Sequence, residues 1–433
     1  MKLKINLSKI INYTFGDSLL KNSVYLMATN CVASSLGFFF WIIAARFYTP
    51  KDIGITSAIF SAISLVSMIG SIGLNRALIY YLPRERSADS IINSCFTMNI
   101  ISSIIFSLIF LSGLRIWSPE LVFTLNNLEN ILIFIIVTIA ISNSTLIGSV
   151  FTAGRRSSFQ MIKETTYHFI KMFPLIFFMN LGAIGILLSM GIGLFLSIII
   201  GYILLFKVWK YTPRLRLDPV IKNMARFSAA NYVADVFYNL PRLILPIIIL
   251  NMLSAKYVGY FYIAMMVSGL LYGVFLSVSN SLLVESSDKN QLWSNMNKSI
   301  KFNLIILIPG LFLFIVFGKF ILNIFNPDYA VNATTTMIIF SFASIPLSIV
   351  NIFITVRNAQ NRVLSMIKMN FIVTAITIIL SIPLVKMMNI EGAALAYLIA
   401  NIIGASIVIN RIKNPVEFTI KIFKDIKKDF IHI

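Results

Sequence analysis

The polar residues Ser228, Asn231, Tyr232, Asp235, Tyr238, Asn239 and Arg242 lie in one otherwise apolar stretch. They recur at three- and four-residue steps, so they share one face of a helix. Charges and carboxamides are costly in hydrocarbon, so this face lines a wet cavity or meets another helix. A direct Asp235–Arg242 pair along the helix is strained, because the two stand roughly two turns, about 10 Å, apart. Arg76, near the end of the second apolar run, and Lys171, in the fifth, supply further cations. Arg76 either snorkels to the membrane surface or reaches the cavity. Lys163, Glu164, His168 and Lys171 cluster at the start of the short fifth run, either at a cavity mouth or as a solvated helix end. A cavity lined by Arg76, Arg242 and Lys171 favours an anionic substrate; a diphosphate headgroup fits that field and a hydrophobic cation does not. The stripe Ser57, Ser61, Ser64, Ser67, Ser71 and Asn75 has the spacing of small residues that let helices pack closely.

Other chemistries lack their residues. His168 and His432 stand in no metal-ligand spacing, so no metal site is expected. Without a glycine-rich phosphate loop, neither a nucleotide cofactor nor an ATP-driven pump is expected. The longest outer loop, 115–127, is too short to fold as a catalytic domain, so the chain does not read as an enzyme. The net charge of +20 needs no nucleic-acid partner, since basic loops facing anionic lipid account for it. Cys31 and Cys95 fall in or beside apolar runs and read as free thiols.

The elements that must position these groups are membrane spans. Hydrophobic residues make up 58% of the chain, and its mean hydropathy of +0.88 would leave a water-soluble domain with large exposed apolar patches. Runs of about 20 residues, enough to cross a roughly 30 Å hydrocarbon core, predict an all-α integral membrane protein of about twelve spans. These form two parallel six-helix bundles around a central cavity, residues 23–206 and 227–410. They are joined by a linker, 207–226, that serves as hinge or plain tether and contains Pro213 and Pro219. A basic segment, 1–22, precedes them and a basic tail, 411–433, follows. Lysine and arginine gather on alternate loops, which places both termini in the cytoplasm. Pro174 interrupts the fifth span and Pro241 and Pro246 the seventh, each freeing a carbonyl and permitting a bend.

The bundles read as a duplication. Tyr48-Thr49-Pro50-Lys51-Asp52-Ile53-Gly54 and Leu253-Ser254-Ala255-Lys256-Tyr257-Val258-Gly259 open apolar runs roughly 205 residues apart, and Met161-Ile162-Lys163 and Met366-Ile367-Lys368 recur at that offset. The Gly185 and Gly392 neighbourhoods match with a slip of about two residues.

The stretch Ala44-Ala45-Arg46-Phe47-Tyr48-Thr49-Pro50-Lys51-Asp52-Ile53-Gly54 resembles the signature of the polysaccharide-biosynthesis exporters. These are the oligosaccharide flippases of the multidrug/oligosaccharidyl-lipid/polysaccharide exporter (MOP) superfamily. Gly70 to Leu78, Tyr81-Leu82-Pro83, Gly154-Arg155-Arg156 and Asn389 to Ala394 continue the resemblance over nearly the whole chain. It implies a multi-pass inner-membrane flippase that turns a polyprenyl-diphosphate-linked oligosaccharide to the outer leaflet by alternating access, among membrane lipids and alongside a polysaccharide polymerase and other assembly proteins. In that role Arg76 and Arg242, with Lys171, neutralise the diphosphate, while Asn231, Tyr232, Tyr238 and Asn239 bond to sugars. The family often carries an acidic residue before the seventh-span arginine; Pro241 stands there here, so Asp235 becomes the candidate for ion coupling. The alternative within the superfamily is a cation-coupled multidrug exporter.

Overall fold

The computed structural model describes residues 18–84, 88–285 and 292–410. The basic tail, His432 and residues 1–17 of the basic N-terminal segment lie outside the described residues. In lipid every backbone N–H and C=O must be satisfied within its own segment or closed sheet. Among the described residues the regular elements are all helices.

The principal helices are α1 (Ser18–Phe47), α2 (Pro50–Gly70), α3 (Leu74–Tyr81), α4 (Ala88–Ser112), α5 (Leu128–Ala153), α6 (Ser157–Ile170), α7 (Met172–Phe177) and α8 (Ala183–Trp209). They continue with α9 (Val220–Met252), α10 (Ala255–Glu285), α11 (Leu292–Phe325), α12 (Thr334–Ala359) and α13 (Val363–Asn410). Among the described residues, 9 helices are long and apolar enough to cross a membrane. The α6–α7 pair, bent at Lys171, together with α10 and the second limb of α13, completes the expected twelve passes. The limbs of α13 meet at Asn389, whose φ of 52° breaks the helix.

The duplication is written in the backbone. Arg155 (φ 54°) and Asn361 (φ 55°) are both left-handed residues just past a helix end, roughly 206 residues apart. The same bond closes each helix: Arg156 N–H to the Phe151 carbonyl at 2.8 Å, and Arg362 N–H to that of Arg357 at 2.9 Å. These six-to-one bonds satisfy carbonyls that the helix leaves open. Gly182 (φ 56°) and Asn389 (φ 52°) likewise precede equivalent helices.

Two compact units form, and they do not coincide with the sequence halves. The first comprises 1–43 and 63–232, the second 44–62 and 233–433. Leu74, Leu78, Ile92, Phe96, Leu146, Val150, Phe151 and Leu205 pack the core of the first. Between α4 and α5, Asn99 Nδ2 donates to Ser142 Oγ and Asn143 Oδ1, both at 2.9 Å, a buried polar contact of the kind that holds helices together in lipid. In the second unit Val350, Phe353, Met369, Val373 and Ala400 form a core between α12 and the limbs of α13. Buried Ser57, Ser61 and Ser67 bear out the packing reading of the α2 stripe.

The linker departs from expectation. Residues 207–209 continue α8 and α9 begins at Val220, so the irregular stretch is shorter than 207–226. Nor is it a free tether. The backbone N–H groups of Thr212, Arg214, Arg216 and Asp218 donate to Asp89 (3.3 Å), Asn93 (2.7 Å), Thr97 (3.1 Å) and Ser94 (2.9 Å) on α4. An unpaired backbone amide is costly, and α4 carries the polar side chains that satisfy these.

Candidate functional site

In the second unit the site is built on α9. This helix runs unbroken through Pro241 and Pro246, which corrects the expected interruption of the seventh span. Pro241 has no N–H, so the Phe237 carbonyl one turn back loses its helical donor. Thr374 Oγ1, on α13, donates to that carbonyl. Asn370 Nδ2, one turn earlier on α13, donates to the Ala234 carbonyl at 2.8 Å. Both groups lie in apolar surroundings where an unmet carbonyl costs several kcal/mol, about the penalty for such a group in hydrocarbon. Thr374 thus carries α9 through its proline, while Asn370 adds a second bond to the Ala234 carbonyl, whose helical donor Pro241 does not remove.

Arg242 follows that proline and its side chain is exposed. Its charge acts on Tyr238, Tyr262, Tyr272 and Tyr397, which come from α9, α10 and α13. Asn351 Nδ2 donates to the Leu347 carbonyl at 3.0 Å and Asn401 Nδ2 to the Tyr397 carbonyl at 2.8 Å, each within its own helix. The Tyr272 hydroxyl donates to the Phe340 carbonyl at 2.7 Å. Asn401 is buried, and its Oδ1 has no hydrogen-bond partner. A guanidinium whose charge reaches several tyrosines suits a ligand that is anionic at one end and rich in hydroxyls at the other.

The remaining stripe residues divide. Asn231 and Tyr232 belong to the first unit, Asp235, Tyr238, Asn239 and Arg242 to the second. Tyr232 is committed to packing: its hydroxyl donates to the Ile69 carbonyl at 2.7 Å, where α2 ends. Gly73 (φ 75°) follows there, and a Cβ on it would meet Tyr232 Cβ at 2.7 Å. Asn239 Nδ2 donates to the Asp235 carbonyl of its own helix at 2.9 Å. Asn231 is half-buried, with its Oδ1 enclosed and lacking a hydrogen-bond partner. Arg76 sits half-buried on α3, in the first unit with Lys171.

The solvated helix end expected for Lys163 and Lys171 is corrected. Their side chains are 1% and 3% exposed. Lys163 Nζ donates to Ser144 Oγ at 2.7 Å and to its carbonyl at 3.0 Å, and pairs with Glu164 at 2.7 Å. Lys171 lies over the rings of Phe40 (4.4 Å) and Tyr167 (4.6 Å), an ammonium held by aromatic faces. Gly193 of α8 lets this bend approach, since a Cβ there would stand 2.9 Å from the Tyr167 carbonyl. The buried Nδ1 of His168 has no partner, and the positive charges of Lys171 and Lys163 bear on that ring.

The recurring Lys-x-x-Gly motifs meet each other. A Cβ on Gly54 would fall on the carbonyl oxygen of Ala255, and one on Gly259 on that of Pro50. Equivalent residues exchange equivalent contacts, as across a two-fold axis. Arg46 Nε fastens the same segment by donating to the Ile324 carbonyl at 2.9 Å.

Sequence reading missed Tyr262, Tyr272, Asn351, Tyr397 and Asn401. They are spread over α10, α12 and α13 in largely apolar runs; the signal was the four-residue step between Tyr397 and Asn401.

A profile of the polysaccharide biosynthesis protein family matches residues 43–329, and one of the lipid II flippase MurJ matches 243–430. An uncharacterized membrane protein of Methanocaldococcus jannaschii is 26% identical over 238 residues, 52% of this chain and 54% of its relative. The match thus spans about half the length of that relative. Among solved structures, lipid II flippase MurJ in an inward closed conformation superposes with a TM-score of 0.72 at 16% identity, covering 94% of this chain and 92% of that one. An inward-facing multidrug resistance MATE family transporter of the MOP superfamily gives 0.68 at 10% identity, covering 92% and 95%. At these identities the likeness shows the fold.

Proposed function

This chain belongs to the polysaccharide biosynthesis protein family, and from that premise we propose that it flips a polyprenyl-diphosphate-linked oligosaccharide from the cytoplasmic to the outer leaflet, for cell-surface polysaccharide synthesis. The protein is a multi-pass membrane protein whose families and fold are those of flippases and transporters. Both termini are cytoplasmic in this reading.

One observation carries the choice of substrate: an exposed arginine, Arg242, on a membrane-crossing helix, with tyrosines of its own and neighbouring helices in reach of its charge. Intramembrane cations persist where they are used, and this one suits the diphosphate. Tyrosine rings and the carboxamides of Asn351 and Asn401 offer stacking and hydrogen bonds to sugars. In this reading Arg76 is a further cation for the diphosphate, as the family resemblance implies, and Asp235 is the site for an exchanged cation.

Alternating access supplies the movement. The Gly54–Gly259 contact, within the second unit, joins equivalent points of the two repeats, as expected of a transporter built from parallel repeats. The test is binding. Purified protein should hold a polyprenyl-diphosphate saccharide at least tenfold more tightly than the same lipid without its diphosphate, and Arg242→Ala should erase that preference. Equal affinity for both lipids contradicts the assignment.

A further inference from the structure

The linker between α8 and α9 is a strap of fixed orientation. Lys210 turns the chain out of α8 with a φ of 51°. From there the amides of every second residue, Thr212, Arg214, Arg216 and Asp218, are spent on α4, and Asn93 Nδ2 returns a bond to the Thr212 carbonyl at 3.0 Å. The Tyr211 hydroxyl anchors the strap's start on Asn93 Oδ1 at 2.9 Å. A segment stitched along one edge cannot roll its side chains inward.

What it displays is unusual for a loop. Residues 212–217 are all exposed, with Leu215 at 86% and Leu217 at 53%. Between and beside the leucines stand Arg214 and Arg216, and exposed Lys207, Lys210, Lys222 and Arg226 flank them. The acids nearby are engaged. Asp218 accepts from Ser90 Oγ at 3.0 Å and from the Val220 N–H at 3.1 Å, with Arg216 Nη2 3.8 Å away; Asp89 accepts from Asn93 and Thr212.

We propose that this strap is a docking surface for an anionic lipid leaflet, with Leu215 and Leu217 entering the acyl boundary while Arg214 and Arg216 meet lipid phosphates. Two bare leucines outside the spans are unfavourable in water and favourable at the membrane interface. The strap joins the ends of two membrane-crossing helices, so that interface is where it stands. Its free charge is basic, which complements a leaflet rich in anionic headgroups. Arginine side chains span the depth required, the stem lying in the apolar layer and the guanidinium at the phosphates.

The test places a nitroxide spin label on Leu215→Cys in a Cys31→Ser background, because Cys31 is exposed. The full chain goes into nanodiscs of phosphatidylglycerol or of phosphatidylcholine, and collision with oxygen and with a water-soluble nickel chelate is measured. In phosphatidylglycerol the label should be reached by oxygen and shielded from nickel. That shielding should fall at least threefold in phosphatidylcholine, and by as much in phosphatidylglycerol once Arg214→Gln and Arg216→Gln are added. Retained transport by the labelled protein shows that it is folded. Full nickel access in both lipids overturns the proposal and points to a protein partner for the strap; equal shielding in both overturns its anionic selectivity.

Discussion

Gly54 and Gly259 lie backbone against backbone, each occupying the space where the other's neighbouring carbonyl leaves no room for a Cβ. The duplicated motif is thereby explained: its glycine stands at a point where the repeats touch. Gly54→Ala and Gly259→Ala should each cut flipping at least tenfold while leaving expression intact. The double variant should lose little more than either alone, because both report one contact. Additive losses in the transport assay would assign the glycines independent roles.

The proline in α9 makes a second prediction. Thr374→Val keeps the volume of the side chain but strands the Phe237 carbonyl, and should lower unfolding stability by about 1 kcal/mol. Pro241→Ala supplies a new N–H to the same carbonyl, so in the Thr374→Val background it should restore most of that loss. Thermal unfolding in one detergent checks the cycle. A deficit that Pro241→Ala leaves unchanged would show that Thr374 acts elsewhere.

Lys163 and Glu164 test the buried cations. Lys163→Met leaves Glu164 without its partner and Ser144 without its donor, and should cost about 2 kcal/mol, below the full penalty for a buried pair because Glu164 is partly exposed. Lys163→Met with Glu164→Gln should recover at least half of this in the same melting measurement. A double variant no better than the single one would place the loss in packing alone.

The strap carries a pH dependence outside the spans. Bonds from the Val220 N–H and Ser90, and the nearby Arg216, hold the Asp218 carboxyl below the ordinary carboxylate range. Its contribution is therefore present above the unfolded carboxylate's pKa and lost as pH falls through the lower folded value. Wild type should lose its melting advantage over Asp218→Asn as the pH falls below about 4, the ordinary carboxylate pKa. An advantage that persists unchanged to the acid end would show that the carboxylate's bonds do not stabilise the fold.

Much of this was legible beforehand, for physical reasons. The spans follow from hydropathy and length, and the duplication from short motifs at a nearly constant offset. Arg242 stood out because charge in a membrane span is expensive. The sequence could not show that α9 is continuous through Pro241, because the compensating donor, Thr374, lies on another helix far along the chain. Nor could it place Lys171 between Phe40 and Tyr167, since a buried lysine and a solvated one read alike. The strap escaped for the same reason: proline and basic residues spell a linker, while the amides that pin it find their acceptors on α4.

The central claim is tested most directly by reconstituting the protein in liposomes and following protection of a fluorescent polyprenyl-diphosphate oligosaccharide from an external quencher. Wild type should move the lipid between leaflets, and Arg242→Ala, equally well folded, should move it at least tenfold more slowly. No lipid movement by wild type, with efflux of a cationic dye in its place, would contradict the flippase and identify a multidrug exporter.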